Sequence, residues 1–325
     1  MKYNLTLLII ISILSTIEAK EPISAGFIQF YNNELTKTIK TFEESKKNNI
    51  KLIILQFTKW DNILVNYDKD KILRWSKTNN MKIIVGLTGR GSPINALHRD
   101  HSTYWKTKVD DVKITKLIRE DMNIVSDWPI KNRYIDGFYS TYEPLSTLYE
   151  ESVGREYDEY LLGLSNKLEE WAEQNNRDVL LAFSGAVGRH SSDTEYDRSR
   201  IKDRAKKFSR RVSKIAKQIL LNKSRLKLIF ILQDGSGVRQ ISDEELAIKV
   251  RPFFIEVRNE LKTINNIEFW PLIEAFDKVG DKTKYISKNR LKHRLDNISN
   301  LGWSGETDER YRIVVFDLPS YNQIQ

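Results

Sequence analysis

The run Leu228-Ile229-Phe230-Ile231-Leu232 is followed by Gln233-Asp234-Gly235-Ser236-Gly237, a helical pattern and a second apolar run, Phe269-Trp270-Pro271-Leu272-Ile273. Both apolar runs are nearly continuous, which is typical of parallel strands buried on both faces. Between them, Ser242 and Glu245 stand at the spacing of a capping box that opens a helix. Strand, helix and strand in this order predict a βαβ unit with parallel pairing.

The same alternation extends over the rest of the chain. Six further apolar or β-branched runs predict strands at residues 25–30, 52–57, 83–87, 135–139, 179–183 and 313–316. Amphipathic patterns predict the other helices at residues 35–48, 70–79, 111–128, 157–174, 198–217 and 287–298. Eight repeats favour a single closed (β/α)₈ TIM barrel over an open doubly wound sheet, and no Gly-x-Gly-x-x-Gly turn follows the first strand. Since only nine residues follow Phe316, the eighth helix is expected to be short or missing.

The first 19 residues differ from the rest of the chain. Lys2 precedes an apolar run from Leu5 to Leu14, and Ala19 ends a more polar stretch. This layout predicts a secretory signal peptide cleaved after Ala19, with an uncleaved membrane anchor as the alternative. The apolar run is shorter than the roughly 20 residues that span a bilayer. We therefore predict an exported protein, periplasmic or secreted, with one domain over residues 20–325 and no stable membrane insertion after cleavage.

Composition restricts the chemistry that the chain can perform. The sequence has no cysteine, which excludes disulfides, thiolate metal sites and a cysteine nucleophile. His98 and His101 lack a carboxylate at a zinc-site spacing, and there is no Gly-x-Ser-x-Gly elbow or phosphate-binding loop. We expect no metal and no cofactor.

The net charge of +9 suits an acidic partner, such as an anionic polysaccharide or a membrane surface. A solubilising charge spread over helix exteriors explains the same number at least as well. Basic residues are not interleaved with aromatic residues, so a nucleic-acid partner is not expected.

Two glutamates follow predicted strands at their carboxyl ends, where barrel enzymes build their sites. Glu143 comes after the fourth strand and Glu274 after the seventh. Glycoside cleavage needs two carboxyl groups, and acids on these two strands can face each other across the mouth of a barrel. For either glutamate alone, exposure at a strand-to-loop junction is an equally good interpretation.

Cleft residues are expected at the same strand ends and in the loops that follow: Gln56, Trp60, Trp105, Tyr139, Tyr142, Gln233 and Asp234. The aromatic residues among them would offer faces for sugar rings, or pack beneath the loops.

Several of these segments resemble a known family. Gly137-Phe138-Tyr139 with Glu143, Leu232 to Val238, and Ile273 to Phe276 are similar to a bacterial family of exported TIM-barrel domains of unknown function. That family is placed near the retaining glycoside hydrolases with glutamates on strands four and seven. The resemblance extends over residues 24–322, and the Gln-Asp-Gly-x-Gly-Val piece is its most specific mark.

The resemblance implies a function and assigns roles to residues. It implies a hydrolase of a poly- or oligosaccharide, with Glu143 as acid/base and Glu274 as nucleophile. It also implies Gln56, Gln233 and Asp234 as cleft residues. The better-known hydrolases of this type have an asparagine directly before the acid/base, where this chain has Tyr142. This departure leaves a non-catalytic carbohydrate-binding barrel, serving polysaccharide export or surface assembly, as the alternative.

Overall fold

Eight parallel strands close into a barrel in the computed structural model. Each strand pairs with its neighbours in chain order, and the eighth pairs with the first. The TIM barrel predicted from the sequence is confirmed. The strands are β1 (Ile23–Ile28), β2 (Leu52–Leu55), β3 (Lys82–Gly86), β4 (Ile135–Ser140), β5 (Val179–Ala186), β6 (Leu226–Gln233), β7 (Ile267–Glu274) and β8 (Ile313–Phe316). The structure describes residues 23–28, 35–56, 58–60, 63–64, 68–89, 111–128, 135–141, 155–187, 198–236, 242–279, 282–299, 313–316 and 318–324.

A helix follows each strand on the outside of the barrel. The helices are α1 (Leu35–Lys47), α2 (Lys69–Asn79), α3 (Asp111–Asp127), α4 (Arg155–Gln174), α5 (Arg198–Leu220), α6 (Arg251–Leu261), α7 (Lys288–Ser299) and α8 (Leu318–Ile324). The expected capping box of Ser242 and Glu245 is present and opens the segment before α6, which continues through a π-helical stretch, Leu246–Val250. Only seven residues long, α8 confirms the prediction of a short eighth helix.

Asparagines turn the chain from several helices into the strands that follow. Five of them have a left-handed backbone, with φ between 48° and 63°. Asparagine tolerates this conformation because its short polar side chain bonds locally. At the end of α2, the N–H of Asn80 donates to the carbonyls of Ser76 and Lys77, which closes the helix. The five residues are Asn49, Asn80, Asn176, Asn222 and Asn266.

The strands divide the core into an inner and an outer layer. Successive side chains of a strand point to opposite faces, so alternate residues fill the barrel interior and the space under the helices. In β6, Ile229 and Ile231 belong to the interior cluster, whereas Leu228 and Phe230 belong to the outer one. In β7, the interior residues are the even-numbered ones, as for Leu272. This alternation shows on which side each polar residue near a strand end lies.

Short strands that the sequence pattern did not predict follow three barrel strands. Phe276–Val279 and Lys282–Tyr285 form an antiparallel hairpin after β7. Lys59–Trp60, Ile63–Leu64 and Thr88–Gly89 form a small sheet after β2 and β3. Segments of two to four residues are too short to show a period. These strands extend the carboxyl-end face of the barrel.

The predicted signal peptide, residues 1–19, lies outside the described residues. Cleavage, export and the extent of the domain over residues 20–325 stay predictions. Within the described ranges, no helix has the length and apolar character needed to cross a membrane.

A half-buried ion pair joins two neighbouring helices and predicts a dependence of stability on pH. Arg211 of α5 donates to Asp158 of α4 at 2.5 Å. Burial raises the pKa of Asp158 from 3.8 to about 6, since it outweighs the lowering effect of Arg211. The folded protein therefore holds this proton more tightly than the unfolded chain does.

The contribution of Asp158 to stability is complete below the unfolded pKa and is lost as the pH rises through the folded pKa. We expect a loss of about 2 kcal/mol in the free energy of unfolding between pH 4 and pH 6. Urea unfolding of the wild type and of Asp158→Asn over this range measures the difference. The exposed Asp127→Asn variant should follow the wild type. If the free energy of unfolding changes with pH in the same way for the wild type and for Asp158→Asn, then Asp158 is not the group responsible.

Candidate functional site

Glu274 is the last residue of β7 and lies at the mouth of the barrel. Leu272 and Trp270, two and four residues earlier, are interior residues, so strand alternation directs the side chain of Glu274 to the same side. The residue is only 1% exposed. It pairs in register with Phe316 of β8. The structure thus brings one of the two predicted glutamates to the interior side of the barrel mouth.

The backbone of Glu274 is held from two directions. Its N–H donates to Asp234 Oδ1 at 3.4 Å, and its carbonyl accepts from Arg294 Nη1 at 2.5 Å. Arg294, 1% exposed, also donates to the carbonyl of Phe276 at 3.2 Å and to Asp277 Oδ1 at 2.7 Å. A guanidinium presents several donors in a rigid plane, which suits it to bind several acceptors at once. These contacts fix the end of β7 in position.

Asp234, predicted as a cleft residue, lies on the other side of its strand. Leu232, two residues earlier, belongs to the outer cluster, so alternation directs Asp234 toward the helices. Its carboxylate accepts from the N–H of Ser236 at 3.0 Å and from the Ser236 hydroxyl at 2.9 Å. Gly235, with φ of 68°, provides the left-handed turn that brings Ser236 back. Asp234 therefore holds the backbone of Glu274 from the helix side, and its assignment as a cleft residue stays a prediction.

Burial raises the pKa of Asp234, and the nearby charge of Arg294 and the hydrogen bonds from Ser236 and Glu274 oppose that rise.

Asp234 and Arg294 also line a small cavity on the helix side of the barrel. The other lining residues are Leu246, Val250, Arg251, Phe254 and Asn297.

Two predicted cleft amides lie on the interior side. Gln56 stands two residues after Ile54, an interior residue of β2. Gln233 likewise stands two residues after Ile231, an interior residue of β6. Each is 7% exposed. The Oε1 atom of Gln56 has no hydrogen-bond partner within the described part of the chain. A Cβ at Gly86 would lie 2.2 Å from the carbonyl oxygen of Gln56, so only glycine lets β3 approach here.

Tyr139, predicted to offer a face to a sugar ring, is fully buried. Its ring contacts Phe27 edge to face, with 5.0 Å between the ring centroids. Its hydroxyl and that of Ser184 are hydrogen-bonded at 2.7 Å. Tyr139 thus packs within the interior cluster, and its contact with a sugar ring stays a prediction.

The remaining predicted site residues are not placed by the structure. Glu143, Trp105 and Tyr142 lie outside the described residues, and of Trp60 only the backbone is described. The pairing of Glu143 with Glu274 therefore stays a prediction. Among the described residues, no group of three or more His, Asp or Glu side chains could hold a metal ion.

Sequence reasoning missed two residues of this region. Ser184 stands inside an apolar strand and carries no pattern that marks it. Arg294 did carry a signal, because it stands three residues after Leu291 and one before Leu295, on the apolar stripe of α7. A charged residue on a buried stripe needs a partner, and here its partners surround Glu274.

The structure resembles those of several glycoside hydrolases. A proposed α-L-fucosidase from Bacteroides thetaiotaomicron has 13% identity and a TM-score of 0.60, over 94% of this chain and 96% of that one. A family 1 β-glucosidase from Thermotoga maritima has 10% identity and a TM-score of 0.53, over 91% and 88% of the chains. Xylanase 10B from Thermotoga petrophila in complex with xylobiose has 13% identity and a TM-score of 0.46, over 91% and 82%. Comparisons with protein-family models and with curated proteins give no match. The likeness at these identities is one of fold.

Proposed function

We propose that this chain hydrolyses a glycosidic bond in a poly- or oligosaccharide, with retention of configuration at the anomeric carbon. The observation that carries the proposal is the position of Glu274, on the interior side of the barrel mouth with its backbone held by Asp234 and Arg294. The glycoside-hydrolase-like fold supports the proposal without deciding it, because one fold hosts many functions. Membership of the exported TIM-barrel family implied by the sequence is part of the same proposal.

In the proposed first step, ionised Glu274 attacks the anomeric carbon while Glu143 donates a proton to the leaving oxygen. In the second step, Glu143 takes a proton from water, whose oxygen attacks the anomeric carbon and releases Glu274. This mechanism requires the two carboxyl groups to lie about 5–5.5 Å apart. Both steps use side chains alone, and they need neither a metal nor a cofactor.

The surroundings of Glu274 support a nucleophile more than a packing residue. Burial of a carboxylate is costly, so an acid that is 1% exposed at the mouth of a barrel calls for a compensating role. A nucleophile also has to be held within a few tenths of an ångström of its target. The hydrogen bonds of Asp234 and Arg294 to the Glu274 backbone provide such a fixed position.

The two interior amides suit a sugar as ligand. A glutamine amide offers both donors and acceptors, and sugar hydroxyls can bond to either. Gln56 has a buried amide oxygen with no partner in the described ranges, and Gln233 lies on the same side of the barrel wall. We assign these two residues to substrate hydroxyl groups.

The stereochemistry of the product tests the mechanism. Incubation with neutral and uronic-acid polysaccharides, read out as new reducing ends, identifies a cleaved substrate. A time course of its anomeric proton signals by NMR should then show a first product with the configuration of the substrate. A first product of opposite configuration would overturn the retaining mechanism, because inversion needs a wider carboxyl separation of about 6.5–9.5 Å.

A non-catalytic carbohydrate-binding barrel is the alternative, and the residue that favours it is Tyr142 in the place of an asparagine. It predicts binding to a glycan with no new reducing ends at any enzyme concentration. That result would show that the barrel mouth binds a glycan and does not hydrolyse it.

A further inference from the structure

Helix α5 carries the whole net charge of the protein. Its 23 residues include ten of the 53 lysines and arginines and one of the 44 acidic residues. The rest of the chain has 43 residues of each sign, so it is neutral. The value of +9 therefore equals the net charge of this one helix, so the excess positive charge is concentrated there and not distributed over all helices.

The helix has one apolar face and one basic face. Buried residues such as Phe208, Val212 and Ile215 pack it onto the barrel. On the other side, cations recur at steps of three and four residues, which places them in one row along the axis. Between Lys202 and Lys217 this row is about 22 Å long at 1.5 Å per residue. We call it the basic stripe, and it consists of Lys202, Lys206, Lys207, Arg210, Lys214 and Lys217, all exposed except the half-buried Lys206.

Little in the described structure neutralises the basic stripe, although Lys214 lies near enough to Asp158 to lower the pKa of that carboxyl. Arg211, beside it, pairs with Asp158, but the six cations of the stripe have no ion-pair partner among the described residues. Like charges three or four residues apart, such as Arg210 and Lys214, destabilise a helix. Neutral polar side chains would keep this face equally well solvated without that repulsion. The stripe therefore opposes folding slightly, which an external anionic partner would offset.

We propose that the basic stripe is a docking surface for an anionic polysaccharide, whose charged groups lie along α5. A linear polymer fits because the cations form a row and not a broad patch. The helices on either side, α4 and α6, carry acidic residues, among them the exposed Glu170 and Glu173 and the half-buried Glu256 and Glu260. A flat anionic membrane would meet these acids together with the stripe, whereas a single chain meets the cations alone.

The apolar surface near the stripe also argues against a membrane as the partner. Interfacial helices insert an apolar face into lipid, but the apolar face of α5 is used by the barrel core. Leu221, 67% exposed, follows the end of the helix as a single apolar side chain. Docking on the stripe is thus electrostatic and should weaken as salt rises.

The position of α5 relates this surface to the barrel mouth. Because α5 follows β5, its first turns lie at the carboxyl-end side of the barrel, the side where Glu274 lies. A polymer on the stripe would extend from that rim along the outer wall. The proposal goes beyond hydrolysis, and it concerns binding alone, so a failure of the catalytic proposal leaves it standing.

A matched pair of variants tests the stripe in the full chain. The stripe variant combines Lys207→Gln, Arg210→Gln, Lys214→Gln and Lys217→Gln. The control variant combines Lys71→Gln, Lys77→Gln, Lys116→Gln and Lys292→Gln, four exposed lysines on other helices. Both variants lose four positive charges. Affinity is measured for polygalacturonate, dextran sulfate, neutral dextran and vesicles that contain phosphatidylglycerol, at several salt concentrations, with circular dichroism to verify folding.

We expect the wild type to bind at least one of the two anionic polymers and not neutral dextran. The stripe variant should bind it at least about tenfold more weakly, and the control variant should stay within about twofold of the wild type. Equal losses in the two variants would show that only net charge matters, and would overturn the proposal. Binding to neither polymer, or binding to vesicles where neither polymer binds, would also overturn it.

Discussion

Replacement of Glu274 by glutamine is expected to lower kcat by at least about 10³-fold while substrate affinity changes little. The amide has the size of the carboxylate, but it is a poor nucleophile for the anomeric carbon. The hydrogen bonds from Asp234 and Arg294 end on backbone atoms of residue 274, so the substitution leaves them in place. Steady-state kinetics on the cleaved glycan, together with calorimetric binding to Glu274→Gln, measure the two effects separately.

The same substitution at the other end of β7 provides a matched control. Glu268 accepts a hydrogen bond from the Trp270 indole at 2.8 Å, and a glutamine oxygen can still accept it. We expect Glu268→Gln to retain wild-type kcat because it lies far from the carboxyl end of the strand. Turnover by Glu274→Gln at the level of Glu268→Gln would remove Glu274 from the mechanism. Loss of binding without loss of turnover would give Glu274 a role in recognition only.

Hydrophobic pattern was enough to predict the barrel. Strands buried on both faces appear in the sequence as apolar runs, and all eight were located to within a few residues, with β8 at the same bounds. The position of Glu274 at a strand end follows from the same pattern. Its side of the strand does not, because both faces of β7 are apolar; the structure supplies it by placing Trp270 and Leu272 in the interior.

Tertiary contacts at the same strand ends could not be predicted in this way. The sequence puts Gln233 and Asp234 side by side, and strand alternation separates them into interior and helix side only once the register is known. Tyr139 looks like any aromatic residue at a strand end until its contacts with Phe27 and Ser184 are seen. The support that Arg294 gives to Glu274 joins residues 20 apart in sequence, and no local pattern encodes it.

Replacement of Arg294 by methionine is expected to lower the free energy of unfolding by about 3–5 kcal/mol. Arg294 is buried and binds Asp277 and the carbonyls of Glu274 and Phe276, and its charge opposes the rise in the pKa of Asp234. Methionine fills much of the space but leaves the two carbonyls without their donor and Asp277 with Arg290 as its remaining partner. Urea unfolding followed by fluorescence measures the loss, and the end of β7 should become mobile.

Arg290 is the natural control because it binds the same carboxylate from a more exposed position. Arg290 and Arg294 both contact Asp277, but their side chains are 41% and 0% exposed. Since exposed ion pairs contribute little, Arg290→Met should cost at most about 1 kcal/mol. Addition of Asp234→Asn to Arg294→Met should recover part of the lost stability, because it removes a buried carboxylate that has lost the compensating charge of Arg294. If Arg294→Met costs no more than Arg290→Met, the contacts of Arg294 do not hold the end of β7, and the fixed position of Glu274 needs another cause.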